Sequence, residues 1–187
     1  MRIGLDIDDT ITAFHGPCFD LLRNVTGKKI ENTSCYDIYN KFDISNEDFF
    51  RILLKENFYE TQTITERMRI CLQRVATKHD ITFITARAGL GFYAESITHK
   101  LLSSIGIPYN LIISSPNQSK ASFLADHDVL VEDMFHNLAD FGNRRILVNH
   151  PWSFYASTED HLELHKTPGF YSSCESEYDL IKTLWFL

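Results

Sequence analysis

The 187-residue chain is predicted to fold as an α/β protein, with a mostly parallel central sheet covered on both faces by helices. Three observations carry that prediction. Short apolar, β-branched runs recur along the chain, helical periodicities lie between them, and polar or charged residues follow the runs at what should be their carboxyl ends. Composition agrees with an ordinary globular protein, at 44% hydrophobic and 23% charged residues. The length suits one core domain with a modest insertion.

Taken in order, the runs are Ile3–Leu5, Ile81–Thr85, Leu111–Ile113, Val129–Val131 and Ile146–Val148. Thr65–His79 carries Met68, Cys71, Leu72 and Val75 on one helical face, and Phe92–Ser104 carries Ile97, Leu101 and Leu102. Shorter helices are predicted over Lys120–Ala125 and Met134–Phe141. A C-terminal one near Glu177–Leu187 has Leu180, Ile181, Leu184 and Trp185 to pack on the sheet. The interval between the first two strands is too long for one crossover helix. It has helical character at Phe19–Leu22 and Asn46–Phe58. It reads as a small helical insertion over 14–62, set to close over the site, with a core built from 1–13 and 63–187. A plain second layer of core is the alternative.

The densest chemistry is Asp6-Ile7-Asp8-Asp9-Thr10, three carboxylates in four positions directly after the first strand. Crowded carboxylates repel, so such a group suits a divalent cation and a phosphate at the carboxyl end of a strand, where open α/β sheets bind ligands. An acidic turn with Thr10 capping a helix is the plainer reading. Later segments weigh against it. The second strand ends Thr85-Ala86-Arg87, the third Ser114-Ser115-Pro116 with Lys120 soon after, and the fourth Glu132-Asp133. Each strand brings polar groups to one sheet edge.

The net charge of −7 and the lack of a long basic run argue against binding duplex nucleic acid through its backbone. No apolar stretch approaches a membrane span, and with the first strand beginning at Arg2 no signal peptide is expected. Cys18, Cys35, Cys71 and Cys174 show no close pairing and read as free thiols, which makes the cytoplasm the expected location. Two further patterns are weak. Gly89-Leu90-Gly91-Phe92-Tyr93-Ala94 matches a loose dinucleotide fingerprint but lacks the acid expected about 20 residues on. His161 and His165 have zinc-like spacing but no third ligand nearby.

Four motifs in order, each after a strand, resemble the haloacid dehalogenase superfamily of phosphohydrolases. The resemblance implies a Rossmann-like fold, with Asp6 as nucleophile forming an aspartyl-phosphate and Asp8 as acid and base. Asp8 would then need a proton available near neutral pH, and the neighbouring carboxylates are expected to raise its pKa. It implies Thr85 and Lys120 on the phosphoryl oxygens. Mg²⁺ would be held by Asp6, the backbone carbonyl of Asp8 and the acidic pair, with Asp133 favoured as direct ligand and Glu132 behind it. Asp9 is given no chemistry.

Within the superfamily the chain is most similar to the 5′(3′)-deoxyribonucleotidase group and its bacterial relatives. The shared features are the early helical insertion, Ile84-Thr85-Ala86-Arg87, Ile107-Pro108-Tyr109, and Ile146 to Trp152 with its Pro-aromatic pair. Phe14 stands where these proteins place a base-stacking phenylalanine. Where the bacterial relatives continue with Arg and then Trp, this chain has His165-Lys166-Thr167-Pro168 and Tyr171. The implied substrate is a small phosphorylated molecule, foremost a nucleoside monophosphate, contacted by Phe14, Thr85, Ala86, Arg87 and Lys120. A homodimer is compatible with this reading. The alternatives are another small phosphate ester, such as a sugar phosphate or a nucleic-acid 3′-phosphate, or a non-catalytic phosphate-binding protein.

Overall fold

The computed structural model describes residues 1–35, 37–115, 118–153 and 170–187, with 170–173 described by backbone alone. Six strands form one parallel sheet in the order β3-β2-β1-β4-β5-β6. They are β1 (Arg2–Leu5), β2 (Asp80–Thr85), β3 (Asn110–Ile113), β4 (Val129–Glu132), β5 (Arg144–Val148) and β6 (Phe170–Cys174). The first five are the five apolar runs. The sixth was not anticipated, because Phe-Tyr-Ser-Ser-Cys has no apolar run to announce it.

Alternation along the strands sorts the core into two clusters, one on each face of the sheet. Ile3, Leu5, Ile81, Phe83, Val129, Val131, Ile146 and Val148 belong to the first. They are covered by α5 (Glu66–Ala76), α6 (Tyr93–Ser103) and α8 (Glu177–Trp185) through Met68, Leu72, Leu102, Leu180 and Leu184. Ile84, Leu130 and Leu147, from the intervening strand positions, belong to the second. They pack under Leu124 and under Leu138 of α7 (Phe135–Ala139). The stretch expected as a helix at Lys120–Ala125 is a tighter 3₁₀ turn over Lys120–Phe123. Caps set two of the helix starts. Thr65 Oγ1 accepts the Met68 N–H at 3.1 Å, and Ser176 Oγ accepts that of Asp179 at 3.2 Å.

Between β1 and β2 lie α1 (His15–Thr26), α2 (Ile38–Lys41), α3 (Asn46–Lys55) and α4 (Phe58–Thr61). They share a third cluster built on Cys18, Phe19, Leu22, Phe42, Phe49, Leu53 and Phe58, joined from beyond β2 by Leu90 and Ala94. The two glycines of the fingerprint-like segment have structural uses here. Gly91 takes φ +57°, and a Cβ on Gly89 would sit 2.4 Å from the Phe50 ring, so glycine lets α3 lie against the turn after β2. His161, His165, Lys166 to Pro168 and Pro116 fall outside the described residues, as does the side chain of Tyr171. Cys18, Cys35, Cys71 and Cys174 are buried free thiols. Among the described residues no helix is long and apolar enough to cross a membrane.

Candidate active site

The strand order reverses between β1 and its two neighbours, and the register places the ends of β1 and β4 side by side, with Leu5 opposite Val131. Open α/β sheets form their ligand crevice at such a reversal. The Asp6 N–H continues the ladder by donating to the Val131 carbonyl at 2.9 Å, which fixes the first residue past the strand. The chain then curls tightly. The N–H groups of Thr10, Ile11 and Thr12 all turn back to the Ile7 carbonyl, at 3.3, 3.0 and 3.1 Å, and Asp9 sits in the left-handed region at φ 58°. Thr10 caps no helix; its hydroxyl donates to Asp6 Oδ2 at 3.2 Å. Asp9 is the capping residue instead, accepting the N–H groups of Phe14 and His15 at 2.9 and 3.0 Å at the start of α1.

Four ionisable groups converge beneath this loop. Lys120 Nζ donates to Asp6 Oδ1 and, at 2.7 Å, to Glu132 Oε2, with all three side chains almost wholly buried. The other oxygen of Glu132 accepts from the Asn137 amide at 3.0 Å and from the Met134 N–H at 3.3 Å. Asp133 Oδ2 accepts from the Trp152 indole N–H at 3.3 Å. Burial, followed by the negative charge of Glu132, pushes the Asp6 carboxyl up to about 8 against the pull of Lys120. The same two causes drive Asp133 well above the usual carboxylate range.

Asp6, Glu132 and Asp133 each offer an oxygen within 4.8 Å of the others. Three buried carboxylates beside one ammonium leave a surplus of negative charge, and an all-oxygen donor set suits a hard divalent cation. The residues therefore fit a divalent metal. Glu132 and Asp6 are each bonded at both oxygens, Asp6 to Lys120 and Thr10, whereas the bond from Trp152 engages only Oδ2 of Asp133, which makes Asp133 the more available donor.

Asp8 differs from the sequence-based expectation. Burial pushes its carboxyl up, but the Arg87 guanidinium, helped by Gln62 and Lys120, outweighs burial and holds it below its ordinary value. Arg87 grips it with two donors, Nε at 2.8 Å and Nη2 at 2.5 Å, while the Gln62 amide donates at 2.8 Å. The carboxyls raised are Asp6, Asp133 and Asp9, the last to about 6, each by burial first and by neighbouring negative charge as well. Asp8 is lowered because it has a guanidinium of its own. Arg87 in turn donates to Gln62 Oε1 at 2.7 Å, reaches Thr98 at 3.4 Å and lies over the Tyr59 ring at 4.8 Å, only 1% exposed. Its donors are committed to Asp8 and its neighbours, whereas a substrate-contacting role had been expected. Thr85 Oγ1 also points at Asp8, at 3.4 Å.

These groups floor a cleft of about 270 Å³. Asp6, Asp8, Thr85, Ala86, Arg87, Lys120, Glu132, Asp133 and Phe14 all line it, so every sequence-derived site residue reaches one cavity. The wall is aromatic and comes from the early helices, with Tyr39, Phe49, Phe50 and Tyr59 joining Phe14, whose ring meets Phe58 edge-on at 5.3 Å. Sequence reasoning missed Gln62, Tyr59, Asn137 and the placement of Trp152. Of these only Trp152 carried a signal, in the Pro-aromatic pair after β5.

The fold and site can be set beside known proteins. A haloacid dehalogenase-like hydrolase of Streptococcus pneumoniae superimposes with TM-score 0.60 at 13% identity, covering 100% of this chain and 98% of that one. A candidate beta-phosphoglucomutase of Thermotoga maritima does so with TM-score 0.63 at 14% identity, covering 100% and 99%. A candidate phosphatase of Clostridium difficile gives 0.62 at 15%, covering 98% and 97%. At such identities the likeness is one of fold, which is the haloacid dehalogenase-like fold. No curated protein matches the chain. The model of one family, described as 5′ nucleotidase, deoxy (pyrimidine), cytosolic type C protein, matches residues 1–166. With the motif residues gathered in one cleft and that match spanning most of its length, the chain belongs to this family of phosphoric monoester hydrolases.

Proposed function

We propose that the protein is a Mg²⁺-dependent phosphomonoesterase that hydrolyses nucleoside monophosphates through an aspartyl-phosphate on Asp6. The observation that carries this reading is the composition of this cleft: a floor of carboxylates, lysine and threonine, faced by an aromatic wall. A phosphate would meet the floor, and a flat nucleobase the wall. A sugar phosphate would leave that wall without a partner.

Asp6 attacks phosphorus from the end of β1, its position fixed by the strand ladder and by Lys120 and Thr10. The covalent intermediate splits one hard displacement into two easier ones. Lys120 and the Thr85 hydroxyl hold phosphoryl oxygens as charge develops on them. Asp8 gives a proton to the leaving oxygen and later takes one from the attacking water. An incoming phosphate dianion adds negative charge beside Asp8, opposing Arg87 and raising the proton affinity of the carboxylate toward the range this role needs. Asp6 and Asp133, with the Asp8 backbone carbonyl, would hold Mg²⁺, which supplies charge neutralisation at the phosphoryl group when bound. Phe14 lies at the aromatic wall and offers its face for base stacking.

The test is phosphate release from ribo- and deoxynucleoside 5′- and 3′-monophosphates, sugar phosphates and an aryl phosphate, with Mg²⁺ and with EDTA, beside Asp6→Asn. Metal-dependent turnover of nucleotides that vanishes in Asp6→Asn is the expected result. Wild-type activity in that variant overturns the covalent mechanism, and turnover confined to the aryl phosphate or the sugar phosphates overturns the nucleotide assignment.

A further inference from the structure

The Pro-aromatic segment after β5 has no part in the chemistry just described, yet it is built with unusual constraint beside the acidic cluster. His150 to Ser153 forms a turn closed by the Ser153 N–H on the His150 carbonyl at 3.0 Å, with Pro151 in the second position, where its fixed φ favours the bend. The turn is braced again by the His150 N–H on Ser153 Oγ at 2.9 Å. It presents the Trp152 indole N–H to Asp133 Oδ2 at 3.3 Å.

Two imidazoles fix the plane of that indole. His15 stacks on it with centroids 3.7 Å apart and planes within 9°, and His150 does so at 4.6 Å and 4°. Neither imidazole is loose. His15 Nε2 donates to the Cys35 carbonyl at 2.6 Å, and His150 Nε2 to the Asp9 carbonyl at 2.7 Å. Each therefore has its ring orientation set by a backbone acceptor, one among the early helices and one in the loop that carries Asp6. The indole cannot rotate its N–H off Asp133 without breaking two parallel stacks.

From this geometry we infer that Trp152 is a positioning residue for the divalent cation. Its N–H occupies Oδ2 of Asp133 and would leave the other oxygen for the cation. The inference rests on the metal reading proposed above and adds which residue makes Asp133 a competent ligand. A carboxylate that binds metal is itself usually held by a hydrogen bond, and removal of such a partner typically costs about 10–100-fold in metal affinity. Here the donor is an indole whose orientation depends on His15, the first residue of α1, so correct docking of that helix becomes a condition for tight metal binding.

Mg²⁺ binding to the purified protein, measured by titration calorimetry without substrate, tests this directly. Trp152→Phe keeps an aromatic ring for the stacks, though a smaller one, and deletes the donor. Its Kd should rise about 10–100-fold with little change in Tm, while Asp133→Asn should abolish binding. An unchanged Kd in Trp152→Phe, with binding lost in Asp133→Asn, overturns the role of Trp152 and leaves the metal reading standing. Absence of binding in the wild type overturns both. A second measurement does not depend on the fold of Trp152→Phe. The chain has two tryptophans, so Trp185→Phe, at a half-exposed surface position, leaves Trp152 as sole emitter. Mg²⁺ should shift or quench its fluorescence with the same Kd, and an emission that ignores Mg²⁺ overturns the inference.

Discussion

Replacing Lys120 with methionine would remove the cation from between Asp6 and Glu132 while keeping the length and apolar bulk of the side chain. At 2.7 Å and an effective dielectric constant of about 20, the attraction of Lys120 for Glu132 is worth about 6 kcal/mol before desolvation is counted. Asp6 adds a second attraction of similar size. Most of this is offset by the cost of burying the charges, but taking away one partner leaves the others uncompensated, which typically costs about 3–5 kcal/mol. In a chain of this length that corresponds to a Tm lower by about 6–20 °C. Saturating Mg²⁺ should recover part of the loss, because a cation bound by the native state opposes the same surplus charge. Turnover should fall by about 100-fold or more, as for the loss of one donor to developing oxyanion charge. Thermal melts followed by circular dichroism, with EDTA and with Mg²⁺, and phosphate release would measure both effects. A Tm within about 2 °C of wild type in EDTA would refute the electrostatic account of the cluster, and undiminished turnover would refute the role of Lys120 on the phosphate.

Two further substitutions probe the aromatic wall. Phe14→Ala should lower kcat/KM for nucleoside monophosphates by about 5–150-fold, the equivalent of about 1–3 kcal/mol of base stacking, and should affect a generic aryl phosphate much less; equal losses on both would remove the stacking role. Gly89→Ala would drive a methyl group to within 2.4–2.8 Å of three Phe50 ring atoms. It should cost about 1–3 kcal/mol in denaturant melts and raise KM by pushing Phe50 into the cleft, and unchanged values of both would show that α3 yields freely at this contact.

What could be read before the structure was whatever chemistry lies beside a strand end. Asp6, Thr85, Glu132 and Asp133 follow apolar runs within a residue or two, so the strand pattern alone brings them to one sheet edge. Lys120 needed only the short turn after β3. Arg87 could be brought to the same edge, but its commitment to Asp8 could not be read, since that grip depends on how β2 ends and where α6 and α4 place Thr98 and Tyr59. The carboxylate crowding argument held for the loop and named the wrong carboxyl. Asp9 was passed over because its task is geometric: a left-handed residue whose carboxylate satisfies the start of α1 leaves no mark in composition. β6 was missed for a similar reason, its pairing with β5 being a property of the edge rather than of its own residues.

The bonds that join the early helices to the sheet converge on the same few carboxylates, and this ties the placement of those helices to the chemistry. Gln62, at the end of α4, uses both ends of its amide, donating to Asp8 and accepting from Arg87. Any shift of α4 against the sheet therefore disturbs both groups that set the proton affinity of Asp8. At the other end of this run of helices, Asp9 holds the start of α1 through its carboxylate and receives His150 on its carbonyl. A displacement there would be felt through His15 and Trp152 at Asp133. The two ends of the helical segment thus hang on Asp8 and, through His15 and Trp152, on Asp133, the carboxylates proposed above for acid–base work and for the cation. On the proposed function, a ligand seated on the aromatic wall would bear through these bonds on the positions of Asp8 and Asp133, so groups far from phosphorus would contribute to discrimination.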